Sequence, residues 1–144
     1  MYNPTLVPID ISESGLTEMV IPHVQRHTVL NTTKVHFLTV VPFFPYYSSL
    51  GMGYAPEMSE ISEMTQKALA KLNEIVKEFK LPAEKVVTHA VVGTPKDKIL
   101  EYSEEIGAKL IIIASHRPDL TTYLLGSNSS AIVRHSKCPV LVVR

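Results

Sequence analysis

The segment ASHRPDLTTYLLGSNSS, residues 114–130, gathers the residues of this chain best suited to chemistry. It follows the apolar run LIII and brings a histidine, an arginine and several hydroxyls ahead of a glycine-serine helix start. Backbone N–H groups at such a start, the hydroxyls of Ser127, Ser129 and Ser130, and the fixed positive charge of Arg117 are together sufficient to hold a phosphate or another anion. Glycine and serine also begin ordinary helices for purely structural reasons. The pattern by itself therefore fits both an anion site and a plain strand-to-helix connection.

Asp10 is the acid best placed for a ligand. It closes the first apolar run, where it can meet a ribose or a metal ion carried on phosphates, or cap the following helix as an Asx turn. Ser115 and His116 do not make a nucleophile and its base, because neighbours on an extended chain point to opposite sides and no orienting acid is evident. His23 and His27 stand four apart on a predicted helix without a third ligand nearby, so they read as surface histidines. Cys138, beside Pro139 and ahead of an apolar strand, reads as packing. The tyrosines 46, 47 and 54 can shield either a ligand or a partner surface. No general base is placed, so no catalytic residue is assigned, and no metal ligand either.

The elements that must position these residues alternate. TLVPID at 5–10 predicts a first strand, and a helix follows with Ser12 as N-cap and Leu16, Met19, Val20, Val24 and Val29 at helical spacing, kinked or limited by Pro22. KVHFLTVV at 34–41 is the second strand, closed by Pro42 and Pro45. The stretch between 42 and 58 has no period and reads as a long loop. Apolar positions from Ile61 to Phe79 keep a helical period over 59–80. KVVTHAVVG is the third strand. A helix then starts at Thr94 and Pro95 and ends at Gly107. KLIIIAS, a helix from about Ser127, and CPVLVVR as fifth strand complete the series. Alternating, nearly all-apolar strands predict an α/β fold: an open, doubly wound parallel sheet with helices on both faces. In such sheets ligands lie beyond the carboxyl ends of the strands, here Asp10, Val40 and Val41, Gly93, and Ala114 to Arg117.

The chain has 144 residues, 45% hydrophobic and 19% charged, which suits one domain over 1–144 with one globular core. Fourteen Lys and Arg balance fourteen Asp and Glu, so the general pull toward nucleic acid or an anionic membrane is missing and any anion must be held locally. One cysteine forms no internal disulfide, and no signal-peptide pattern opens the chain; both point to the cytoplasm. The apolar runs are far shorter than the roughly 20 residues that span a bilayer.

LVPIDIS, GTPKDKIL and LIIIASHRPDLTTYLLGSNSSAIVRHSKCPVLVVR together resemble a single-domain universal stress protein over the whole chain. The closing LLGS…VRH…CPVLVVR is the most specific part, and SHRPD…TTYLLGSN resembles the bacterial F-type, nucleotide-binding filament branch. The resemblance implies five strands in the order 3-2-1-4-5 and an adenine nucleotide over strands one and four. It further implies that Pro8, Ile9 and Asp10 border the adenosine, Val40 meets the adenine, and Ile113 and Ala114 lie beneath the nucleotide. Ser115, His116 and Arg117 would follow the phosphates, and Gly126, Ser127, Asn128 and Ser129 would close around them. The family's phosphate motif has glycine where this chain has Ala114, while Gly126 and Ser127 match outright. Loss of that glycine limits close backbone approach, and Arg117 is expected to supply bidentate contacts in its place.

The expected function is an ATP-binding stress-response protein acting through nucleotide binding and self-association, with ADP or AMP as other residents and Mg2+ accompanying ATP. The alternatives are a slow ATP hydrolase or phosphoryl or nucleotidyl transferase, with Asp10 on Mg2+ and Arg117 on phosphate, and a nucleotide-free interaction module. The apolar PVLVVR, an edge strand in that order, is expected to pair with a second copy and make a homodimer.

Overall fold

The computed structural model describes residues 3–28, 33–42, 58–115 and 127–144. The described residues form strands β1 (Thr5–Pro8), β2 (Val35–Pro42), β3 (Val86–Gly93), β4 (Leu110–Ala114) and β5 (Val140–Val143). Between them lie helices α1 (Ser14–Thr28), α2 (Met58–Val76), α3 (Pro95–Glu105) and α4 (Ser127–His135). The strands make one parallel sheet of order β3-β2-β1-β4-β5, the doubly wound architecture that the alternation predicts.

The sheet is buried on both faces because its strands are apolar at consecutive positions. Leu6 and Val7 point to opposite sides and both are fully buried. Val7, Val24, Phe37, Leu72, Phe79 and Ile112 make the core on the side of α1 and α2. Leu6, Leu38, Ile99, Ile111 and Ile132 make the core on the side of α3 and α4. Phe37 and Phe79 meet with ring centroids 4.7 Å apart and planes tilted by 58°, a favourable aromatic geometry. On the α3 side His89 stacks on Tyr102 at 5.0 Å, and the Tyr102 hydroxyl shares a hydrogen bond of 3.1 Å with His36 Nδ1. Burial and then the charge of Lys34 lower the His36 pKa. Burial and then Glu105 raise that of Tyr102.

Helix ends follow their composition. Pro95 opens α3 after Thr94, and Gly107 stops it at φ 64°, the left-handed value that favours glycine. The N–H of Ala108 then donates to the Ser103 carbonyl at 2.8 Å and that of Gly107 to Glu104 at 3.1 Å. Helix α2 passes into a 3-10 turn, Lys77–Phe79, and ends at Lys80 with φ 55°.

Three local expectations change. β1 stops at Pro8 rather than reaching Asp10. Ser12 is not the N-cap of α1. It donates to Asp10 Oδ1 from its N–H at 2.9 Å and its hydroxyl at 2.5 Å, and the helix begins later, with Glu13 taking the N–H groups of Leu16 and Thr17. Pro22 neither ends nor limits α1, which continues to Thr28. Pro22 and Glu18 both lie on the exposed face, so the carbonyl that loses its partner to proline stays in water. Val29 and the loop with Tyr46, Tyr47 and Tyr54 lie outside the described residues.

Candidate functional site

The crevice at the switch point begins with Pro8. In a parallel strand the N–H and C=O of one residue point to the same neighbour, and successive residues alternate between the two neighbours. The N–H of Thr5 donates to Lys34 and that of Ile9 to Leu38, both toward β2, while the Pro4 carbonyl accepts from Lys109 next to β4. Even-numbered positions of β1 therefore serve β4, and at position 8 the residue is a proline with no N–H to give. The β1–β4 register accordingly holds only Thr5 with Leu110 and Leu6 with Ile111. On the other side β1 pairs with β2 as far as Pro8. Beyond Leu6 the β1–β4 ladder stops.

A cavity of about 270 Å3 lies at the carboxyl ends of these strands, near the lower end of ligand pockets, roughly 300 Å3 upward. Pro8, Ile9 and Asp10 form one bank and Ile113 and Ala114 the other, with Val40 to the side and Asn128 and Ser129 at the start of α4. Ser129 is buried, and Asp10 is exposed at the rim with Oδ1 held by Ser12. Apolar walls, one carboxylate and the N–H groups of a helix start stand together here, a combination suited to a ligand with an apolar flat part and an anionic end.

Of the residues the sequence points to, these eight line the cavity. Ser115 is buried beside it, its N–H donating to the Val143 carbonyl at 2.9 Å, and it is not a lining residue. Ser127 begins α4. His116, Arg117 and Gly126 lie outside the described residues. The sequence reading missed the α1 contribution, Leu16, Thr17 and Val20, and from β2 Leu38 and Thr39, with Pro95 and Ile99 from α3. Leu16 and Val20 share the helical period already visible in the sequence, but that period says only that they are buried and not that a cavity lies over them.

Among the described residues no group of three or more His, Cys, Asp or Glu stands together. Cys138 is half-buried against the α3-side core, its N–H donating to Ser136 Oγ at 3.1 Å. No described helix is long and apolar enough to cross a membrane.

Comparison with known proteins bears on fold and family. Universal stress protein G of Shigella flexneri is 32% identical over 146 residues, covering all of both chains. A universal stress protein of Methanocaldococcus jannaschii is 31% identical over 157 residues, covering 100% of this chain and 96% of its own. The solved structure of that archaeal protein superposes with a TM-score of 0.75 at 30% identity, over 99% of this chain and 96% of its own. A universal stress protein solved in complex with cAMP gives a TM-score of 0.63 at 26% identity, over 99% of this chain and 97% of its own. The universal stress protein family matches residues 1–144, and the chain belongs to that family.

Proposed function

We propose that this protein binds an adenine nucleotide, ATP foremost, in the crevice between β1 and β4, and acts in the cytoplasm in stress response through that binding and through homodimerisation. The observation that carries the reading is the meeting, in one cavity, of the β1 end (Pro8, Ile9, Asp10) with the start of α4 (Asn128, Ser129). Ile9, Val40 and Ile113 offer apolar surface to a base. Asp10, already oriented by Ser12, suits a ribose hydroxyl. The N–H groups at the head of α4 favour a phosphate. In this reading His116, Arg117 and Gly126 complete the phosphate end. The complex of a related universal stress protein with cAMP supports the ligand class.

The test is direct: denature the purified protein, identify any nucleotide released, then titrate the emptied protein with ATP, ADP and AMP by calorimetry. Binding of at least one is expected. No released nucleotide and no heat up to millimolar concentrations would overturn the reading.

A further inference from the structure

Asp10 is the one charged residue among the described residues that line the cavity, and Ser12 lines it as well. Both are exposed, and an exposed carboxylate by itself exchanges among its rotamers. Asp10 is held in one of them. Its Oδ1 accepts two hydrogen bonds from Ser12, from the N–H at 2.9 Å and from the hydroxyl at 2.5 Å, the second in the range of a charge-assisted O–H···O− bond. The Asp10 carbonyl accepts the N–H of Glu13 at 3.1 Å. The backbone is pinned on both sides of Asp10, since Ile9 is buried and Ile11 packs against the same α1-side core.

An Asx turn needs only the backbone N–H at position 12, which almost any residue supplies. The Ser12 hydroxyl is additional. It puts a second donor on the same oxygen, and both donors fall on Oδ1 rather than Oδ2. A carboxylate held in this way repels a phosphate and accepts from a hydroxyl, so of the parts of a nucleotide it favours the sugar. A site with such an acceptor loses affinity for an analogue that lacks the hydroxyl. At an exposed rim water makes good part of that loss, which keeps the discrimination moderate.

We infer that Ser12 is a positioning residue: its hydroxyl fixes the Asp10 carboxylate so that Oδ2 receives a sugar hydroxyl, and the site thereby prefers ribonucleotides to nucleotides without sugar hydroxyls. This rests on the nucleotide reading above. Calorimetry should show wild type binding AMP roughly tenfold more tightly than 2′,3′-dideoxy-AMP. Ser12→Ala keeps the N–H and loses the hydroxyl. It should weaken AMP roughly three- to fivefold and leave dideoxy-AMP within about twofold of wild type. Ser12→Thr keeps the hydroxyl and should bind AMP within about twofold of wild type; Ser12→Gly gives the same test as alanine if alanine impairs folding. A role confined to starting α1 predicts equal losses for the two ligands. That result, or unchanged AMP affinity in Ser12→Ala, overturns the positioning role. Equal affinity of wild type for AMP and its dideoxy form overturns the sugar selection and leaves the nucleotide site standing. A wild type that binds neither overturns both readings.

Discussion

The N–H of Ser115 donates to the carbonyl of Val143 at 2.9 Å, and that of Ile111 to the carbonyl of Pro139 at 3.0 Å. Odd-numbered residues of β5 thus face β4, and Val140 and Val142 present their N–H and C=O groups along the open edge of the sheet.

Pairing of that edge with its copy across a two-fold axis is the dimer proposed above. Val142→Pro removes one outward donor without touching the ladder to β4. Light scattering is expected to show a dimeric wild type and a smaller particle for the variant, with circular dichroism unchanged. A wild type that is monomeric at micromolar concentration would reject the dimer.

Pro8→Ala restores the N–H that β1 lacks toward β4. The ladder can then extend and narrow the crevice by about the worth of one hydrogen bond, about 1 kcal/mol. AMP affinity is expected to fall roughly fivefold, with the melting temperature equal or higher. Unchanged affinity would mean that proline does not hold the strands apart.

His36 predicts an acid-side loss of stability. Its folded pKa lies below its unfolded value, so between the two the unfolded chain binds more protons and stability rises with pH. The full contribution is present above the unfolded value, about 6.5, and fades as pH falls from there toward the folded value. Urea midpoints should drop from neutral to mildly acidic pH, and His36→Gln should flatten that drop. Equal slopes for the two proteins would contradict the assignment.

Arg117→Ala tests the proposed phosphate end. Loss of a charge-assisted contact should weaken ATP by about 1 to 3 kcal/mol and adenosine far less. Calorimetry with equal losses for both ligands would show that Arg117 does not meet phosphate.

Much of this was legible because single residues fix local geometry. Pro95 and Gly107 bound α3, runs such as LIII fit a sheet covered on both faces, and Asp10 falls at a carboxyl end of β1 where ligands gather. What was not legible depends on neighbours distant in sequence. Pro8 means little until it is known that position 8 serves β4, and that parity follows from contacts to Lys34, Leu38 and Lys109. Pro22 misleads in the other direction, since its effect depends on which face of α1 it occupies. Asp10 makes the Asx turn with Ser12 and lies in the cavity lining as well.

The ladder between β1 and β4, two residue pairs long, is the shortest in the sheet and joins β3-β2-β1 to β4-β5 near the amino ends of the central strands. In the reading proposed above, a nucleotide held between Asp10 and Asn128 would fasten the other end of the same junction, and the β5 edge proposed to meet a second copy lies one strand away from it.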